Sequence, residues 1–152
     1  MPIKIITIGK KHEAWIALGI ERYSKRLKQP FSIEWVFMPN SPLKGSMARQ
    51  NESKAIFSRL NTNDYVILLD ERGKNINSIE FSNIMSKQFE SSKQIVLIIG
   101  GAYGINDTLR QRSDFIWSLS NLVFPHQLVR LILTEQLYRA QEIFLGNPYH
   151  HE

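Results

Sequence analysis

Two stretches near the middle of the chain decide the fold: YVILLD, residues 65–70, and QIVLIIGG, residues 94–101. Both are continuous apolar runs rich in β-branched residues. Such runs are typical of strands covered on both faces, which occur in parallel sheets flanked by helices. The sequence therefore predicts an α/β fold with a mostly parallel sheet between helix layers.

Strands and helices alternate outward from these two runs, and Gly, Pro and polar residues punctuate them. The predicted strands are Ile3–Gly9, Phe31–Met38, Tyr65–Asp70, Gln94–Gly101 and Asp114–Ser120. The predicted helices are His12–Gln29, Met47–Leu60, Ser78–Phe89, Asn106–Arg112 and a long helix after Pro125. Residues 39–46 predict a loop, and residues 71–77, ERGKNIN, predict a turn. The length of 152 residues and the absence of a composition break predict a single domain, residues 1–152.

The composition narrows the class of protein. The hydrophobic fraction of 43% is that of a globular protein, and no apolar run approaches the roughly 20 residues of a membrane span. The N-terminus lacks the pattern of an export signal, so we expect a cytoplasmic protein without a membrane partner. The absence of cysteine excludes disulfides, thiolate nucleophiles and thiolate metal sites.

Positive charge is concentrated in the first part of the chain. Residues 1–60 hold eleven Lys and Arg against four acidic residues, a net charge of +7. Residues 61–152 hold eight against ten, a net charge of −2. Aromatic residues interleave with the first basic group. The pattern indicates either a solvated basic face or a surface that binds the phosphates of a nucleic acid.

Three loops are candidates for a ligand site, because ligands of parallel sheets gather at the carboxyl ends of strands. These loops are LDERGK (69–74), IGGAYG (99–104) and SLSNLVFPH (118–126). Gly100 and Gly101 indicate either a tight turn or a backbone that a ligand approaches closely. Their spacing matches neither the dinucleotide fingerprint nor a phosphate-binding P-loop. The apolar residues of the third loop indicate core packing or cover for an apolar part of a ligand.

The histidines do not form a metal-binding pattern. His126 follows Pro125 at the start of the last helix, where a neutral imidazole can serve as a cap or a packing group. His150 and His151 are adjacent and therefore cannot face one ion as residues four apart on a helix would. We expect no metal.

Several motifs together resemble a known family. They are LDERGK, IGGAYG, SLS (118–120), PHQLVRLILTEQLYRA (125–140) and the terminal NPYHHE (147–152). These stretches resemble the bacterial large-subunit ribosomal RNA methyltransferase H family of the SPOUT superfamily, and the resemblance spans the whole chain.

The resemblance implies a fold and an activity. Members of the family use S-adenosylmethionine to methylate N3 of a pseudouridine in the helix-69 loop of 23S rRNA, on the assembled ribosome. The implied fold is an α/β sheet with a C-terminal trefoil knot that holds the cofactor. Carried over to this sequence, the cofactor-binding residues are Leu69, Gly100, Gly101, Ser120, Asn121, Leu122, Val123, Phe124 and Pro125.

Three residues of the last two motifs are candidates for the substrate side of the site. Arg139 would favour an anionic base or hold a phosphate, and Tyr149 would stack on a splayed-out base. Histidine ordinarily titrates near neutrality, so His150 is a candidate for proton transfer. We assign Arg139, Tyr149 and His150 to substrate positioning or proton transfer because they match the family's C-terminal motif.

The resemblance also implies a homodimer. The last helix carries more apolar residues than one stripe needs, which predicts burial on two sides. They are Leu128, Val129, Leu131, Ile132, Leu133, Leu137, Ile143 and Phe144. We expect a two-fold dimer in which the tail of one chain reaches the cofactor pocket of the other.

Other functions stay open at this point. A non-catalytic RNA-binding module would need only the basic first part of the chain. A methyltransferase with another RNA target would share every motif. A nucleotide-binding oxidoreductase is disfavoured by the glycine spacing and by the basic charge.

Overall fold

The computed structural model describes residues 1–151 and contains a five-stranded sheet in which every pair of neighbours is parallel. The strands are β1 (Ile3–Ile8), β2 (Ile33–Met38), β3 (Tyr65–Lys74), β4 (Ile95–Ile99) and β5 (Phe115–Trp117). Their order across the sheet is β2-β1-β4-β3-β5. The helices are α1 (Ala14–Ser24), α2 (Gly45–Phe57), α3 (Ser78–Glu90), α4 (Asp107–Arg112) and α5 (His126–Leu145).

The continuous apolar runs of the central strands supply two separate cores. In β4, Ile95, Leu97 and Ile99 belong to one buried cluster, while Val96 and Ile98 belong to the other. Successive side chains of a strand point to opposite faces of the sheet, so a strand covered on both faces has no polar side to present. This explains why these strands do not alternate.

Each core is covered by its own helix layer. Helix α5 packs against both α1 and α3 over the first cluster, to which it contributes Leu133, Leu137 and Ala140. On the other face α2 and α4 are in contact and contribute Ile56 and Leu109 to the second cluster. The predicted α/β architecture, a parallel sheet between helix layers, is confirmed. The trefoil knot stays a prediction from the resemblance.

Strand β3 is longer than predicted, and the prediction of a turn that begins at Glu71 is wrong. The strand runs on to Lys74, with a register shift between Leu69 and Lys74 where it pairs with β5. A Cβ on Gly73 would lie 2.6 Å from the backbone oxygen of Ile116, so only glycine allows the two backbones this close. Polar residues and a glycine favour a turn locally, but tertiary strand pairing overrides that preference.

Helix α1 is shorter than predicted, since it ends at Ser24 and not at Gln29. The buried side chain of Gln141, on α5, accepts a hydrogen bond from the backbone N–H of Lys28 at 2.7 Å and donates one to the backbone oxygen of Arg26 at 3.0 Å. These bonds satisfy backbone groups after the helix. The early end is therefore set by a partner distant in sequence.

Candidate active site

A cavity of about 860 Å³ opens at the carboxyl edge of the sheet. The residues that follow β1, β3, β4 and β5 form its walls, together with the first turn of α5. This is the position at which open parallel sheets bind ligands, and the volume falls in the range of small-molecule and cofactor sites.

Most residues predicted to bind the cofactor line this one cavity. Those on its wall are Leu69, Gly100, Gly101, Ser120, Leu122, Val123 and Phe124. Asn121 and Pro125 belong to the same segment but are not among the lining residues. The fold thus brings together three loops that are distant in the sequence. Leu69 lies in β3 itself, because that strand continues past the predicted end.

Gly100 and Gly101 pack against neighbouring side chains so closely that a larger residue at either position would have to push them aside. A Cβ on Gly101 would lie 2.7 Å from Oε1 of Glu52 and 3.0 Å from Cγ2 of Ile8. A Cβ on Gly100 would lie 2.9 Å from Cδ1 of Ile105. Both glycines therefore keep the chain close to its neighbours behind the cavity wall, while their backbone faces the cavity.

The loop after β5 holds large apolar side chains in solvent. Leu122 is 70% exposed and Val123 is 79% exposed, although both line the cavity. The hydroxyl of Ser120 accepts a hydrogen bond from the backbone N–H of Leu122 at 3.0 Å, which fixes the turn that presents them. Apolar groups held in water at the mouth of a cavity are typical of a surface that a ligand or a partner covers.

The end of β3 is anchored by an ion pair. Nη2 of Arg110, in α4, donates to Oδ2 of Asp70 at 2.6 Å, and the backbone N–H of Arg72 donates to Oδ1 at 2.8 Å. Burial by itself would raise the pKa of the Asp70 carboxyl, but these hydrogen bonds and the two guanidinium charges lower it overall. Asp70 is therefore ionised and fixed at the cavity wall.

His126, the last residue of the third candidate loop, lies on the cavity wall, although sequence reasoning interpreted it as a cap or a packing group. Its Nε2 lies 3.4 Å from Oγ1 of Thr7, and the ring faces the cavity beside Gly100. Burial lowers the pKa of His126, the nearby Arg130 guanidinium lowers it further, and a hydrogen bond to the Gly100 backbone acts in the opposite direction. A neutral imidazole therefore faces the cavity at neutral pH.

Arg130 was also missed as a cavity residue. It lies four residues after His126 on α5, so the two side chains share one face of the helix. That spacing was the available signal in the sequence. It could not be used without knowing that the start of α5 lies at the carboxyl edge of the sheet.

The structure brings Arg139, Tyr149 and His150 together. The Arg139 guanidinium lies over the Tyr149 ring, 4.8 Å from its centre, and Nη1 of Arg139 is 3.1 Å from Nδ1 of His150. Nε of Arg139 donates to Oε1 of Glu135 at 3.1 Å. Burial raises the pKa of Tyr149, and the Glu135 carboxylate raises it further. Tyr149 is therefore a neutral phenol at neutral pH.

This C-terminal cluster lies outside the cavity of its own chain. None of Arg139, Tyr149 and His150 lines the large cavity. His150 instead lines a second cavity of about 560 Å³. Trp117 and Leu119 line both cavities and form the wall between them. The predicted catalytic residues and the predicted cofactor residues thus form two separate sites in one chain.

Two further observations concern the described part of the chain. Within residues 1–151, histidine and carboxylate side chains form no group of three that could hold a metal ion. No helix of that part is long and apolar enough to cross a membrane.

Fold and site together define an α/β protein that offers a small-molecule cavity at the carboxyl edge of a parallel sheet. Residues 1–150 match the family described as "Predicted SPOUT methyltransferase". Relatives with the name ribosomal RNA large subunit methyltransferase H occur in Dictyoglomus thermophilum, 40% identical, and in Cytophaga hutchinsonii and Enterococcus faecalis, each 38% identical. Each alignment covers 99% of this chain and at least 99% of the relative.

The chain therefore belongs to the SPOUT methyltransferase family and, within it, to the family of ribosomal RNA large subunit methyltransferases H. The resemblance drawn from the sequence motifs is confirmed. Membership implies an enzyme that transfers a methyl group from a methyl donor.

Proposed function

We propose that this chain is an S-adenosylmethionine-dependent methyltransferase that modifies N3 of a pseudouridine in the helix-69 loop of 23S rRNA, on the assembled ribosome in the cytoplasm. The observation that carries the proposal is the match, over nearly the whole chain, to relatives named as methyltransferases of large-subunit ribosomal RNA. The base, the loop and the assembled particle are taken from the family resemblance.

The cavity fits the proposed cofactor. Apolar side chains at its mouth, Leu122 and Val123, would cover the adenine, while the glycine backbone at Gly100 and Gly101 leaves room for a close approach. Main-chain groups of the same loops would read the polar edge of the base. When bound, S-adenosylmethionine supplies a methyl group that its sulfonium makes strongly electrophilic.

The task of the protein is then to align the target nitrogen and to assist loss of its proton. An imide nitrogen of this kind holds its proton at neutral pH, so a neighbouring group must accept the proton or stabilise the anion. His126 is neutral and faces the cavity, which suits an acceptor. Arg139 would stabilise a developing negative charge, and Tyr149 would stack on the base.

A two-fold dimer would join the two separate sites. Tyr149 and His150 lie on the side of Trp117 and Leu119 away from the large cavity of their own chain. If each tail serves the cavity of the partner subunit, both sites contribute to one reaction. Partly exposed apolar residues of α5, including Leu128, Leu131 and Ile132, support a contact between subunits.

One experiment tests the reaction and its target together. The methylation of 23S rRNA is measured by mass spectrometry in a strain that lacks the gene, with and without the protein restored. We expect the methyl group on the helix-69 pseudouridine to disappear and to return with the protein. A methyl group lost from another nucleotide would indicate a different RNA target.

Calorimetry with S-adenosylmethionine separates the enzyme from a non-catalytic RNA-binding module. The enzyme binds the cofactor in the absence of RNA, and Leu122→Ser weakens binding. A non-catalytic RNA-binding module would bind RNA, but titration of S-adenosylmethionine into it would give no heat of binding.

Two measurements test the dimer and its shared site. Light scattering after size exclusion should give twice the chain mass at micromolar concentration, and a monomer would refute the dimer. Mixed dimers combine one chain that lacks residues 148–152 with one chain that carries a Gly101→Val cavity. Activity restored in the mixed dimer, where neither parent is active, supports tails that cross between subunits.

A further inference from the structure

A buried arginine without a carboxylate partner lies at one end of the large cavity. Arg130 is 1% exposed, and the ion pairs found within residues 1–151 do not include it. Its Nη1 donates to the backbone oxygen of Lys10 at 2.8 Å and lies 3.3 Å from Nδ1 of His12. Its Nε has no hydrogen-bond partner in that part of the chain.

Such an environment is unfavourable for a guanidinium in the free protein. Burial removes water from the charge, and a partner with a full negative charge normally restores the loss. Here the groups in contact with it are a carbonyl, an imidazole and the Phe37 ring, whose centre lies 5.6 Å from the guanidinium carbon. The Glu13 carboxylate forms no ion pair with Arg130 within residues 1–151, and its charge only partly offsets the lowering of the pKa of Arg130 by burial. Burial and, to a smaller extent, the Arg130 charge together lower the pKa of His12 to about 4, so the imidazole stays neutral. The arginine therefore retains an unsatisfied positive charge.

The position of Arg130 separates it from the predicted cofactor residues. It lines the cavity at the carboxyl end of β1, together with Gly9, Lys10, Asn40 and Gln127. The predicted cofactor residues lie in β3, as Leu69 does, or follow β4 and β5. Since β1 pairs with β2 and β4, this end of the cavity is the one nearer the edge strand β2.

The backbone of Gly9 lies close to the guanidinium. Its φ is +124°, a conformation that other residues rarely adopt, and a Cβ there would lie 3.3 Å from Nη2 of Arg130. A side chain at this position would press on Nη2 of the guanidinium, which glycine leaves uncrowded.

We propose that the β1 end of the cavity is a phosphate subsite, in which Arg130 binds a backbone phosphate of the RNA whose base is presented for methylation. The inference rests on the proposed function and adds the part of the substrate that this end of the cavity holds. An arginine fork matches the geometry of phosphate oxygens.

The surrounding charge favours an RNA phosphate over the carboxylate of the cofactor. Lys10 and Lys11 are exposed beside the subsite and extend its positive charge out of the cavity. Further exposed basic residues, Arg22 in α1 and Arg26 after it, belong to the same first part of the chain (residues 1–60), whose net charge is +7. An RNA chain carries many phosphates and can contact the exposed lysines as well as Arg130, whereas the single carboxylate of the cofactor would contact only the buried arginine.

The direct test observes the Nε–H signal of Arg130 by NMR while inorganic phosphate is added to the intact protein. We expect a saturable shift at millimolar phosphate, and the same shift when S-adenosylhomocysteine already occupies the cofactor site. No shift would overturn the proposal. A shift that S-adenosylhomocysteine abolishes would also overturn it, because the anion site would then belong to the cofactor.

Substitutions extend the test to RNA. Arg130→Lys keeps the charge but loses the fork, and we expect about tenfold weaker phosphate binding and a raised KM for RNA. Cofactor affinity should not change. Lys93→Gln, an exposed site before β4, is the control and should alter neither value. Equal loss of cofactor and RNA affinity in Arg130→Lys would indicate a structural role only.

A second variant guards against misfolding. If Arg130→Lys does not fold, Lys10→Gln removes a charge from the exposed rim and should reduce the salt dependence of RNA binding by about one counterion. An unchanged salt dependence would contradict the subsite. The two proposals can fail separately: methylation without phosphate binding rejects only the subsite, and phosphate binding without methylation rejects only the enzyme.

Discussion

The two ends of helix α5 each present an arginine near a histidine, but in different electrostatic environments. Near its start, Arg130 is buried without a carboxylate partner and His126 has a lowered pKa. Near its end, Arg139 is paired with Glu135, and the two side chains are 24% and 17% exposed. A buried arginine without a counter-ion is available to bind an external anion, whereas an arginine beside a carboxylate is held by that ion pair.

The largest expected effect comes from removing the C-terminal tail, which lies beside Arg139 near the end of α5. A chain that lacks residues 148–152 should lose methyl transfer by about 1000-fold, because positioning and proton transfer would both be impaired. Cofactor affinity and melting temperature should change little, since the large cavity contains no tail residue. Single-turnover methylation of ribosomes provides the measurement, and His151→Ala is the matched control. Full activity of the shortened, folded chain would remove the tail from the site.

Acid should lower the stability of the folded protein through His12, which lies beside Arg130 near the start of α5. The pKa of His12 is about 4 in the folded protein and about 6.5 when unfolded, so the unfolded chain binds the proton more readily. Stability from the neutral ring is therefore complete above pH 6.5 and is lost as pH falls toward 4. We expect a loss of about 2 kcal/mol in the free energy of unfolding over this window, less than the full pKa shift would give because His12 is partly exposed and solvent screens its charge.

Urea unfolding at several pH values measures this effect. Other groups titrate in the same range, so the slope for wild type is compared with the slope for His12→Asn. The variant should show the shallower dependence. Identical slopes would mean that folding does not lower the pKa of His12.

A smaller effect is expected at the mouth of the cavity. Leu122→Ser removes an apolar side chain that would cover the cofactor, so the Kd for S-adenosylmethionine should rise about fivefold. The melting temperature should stay constant, because this side chain is 70% exposed in the free protein. Leu145→Ser, 54% exposed at the far end of α5, serves as control. Calorimetry that finds equal affinities would exclude Leu122 from the cofactor contact.

The smallest effect concerns the ion pair at the tail. Glu135→Gln releases Arg139, and the free energy of unfolding should change by less than about 1 kcal/mol because both groups are partly exposed. Thermal unfolding checks this. A much larger loss would show that the pair supports the helix and would weaken the contrast with Arg130.

Parts of the fold could be predicted because their causes are local. The run at residues 95–99 is apolar throughout, which indicates a strand covered on both faces. Strand β3 and helix α1 were misjudged at their ends, where Gly73 and Gln141 act through distant partners. The secondary-structure propensities of residues and the spacing of apolar residues carry no information about such distant partners.

The same limit applies to the candidate site. Leu69 and Gly101 could be assigned from motifs, and the structure places both on one cavity. His126 was included only as the end of a candidate loop, and Arg130 was missed, because nothing in their spacing shows that the start of α5 lies beside β1. The expectation that His150 serves the cofactor pocket of the partner subunit came from the family resemblance, and residue spacing gave no reason for it.

The sequence by itself determined the helix layers on the sheet, the alternation of strands and helices, and the family, because buried strands and close-packed glycines need particular residue types. Only the tertiary structure decided that Arg130 is buried without a carboxylate and that the tail stands apart from the cavity of its own chain. The physical reason is that solvation and charge depend on all the neighbours in space. For Arg130 those neighbours include Lys10 and His12, which are far away in the sequence.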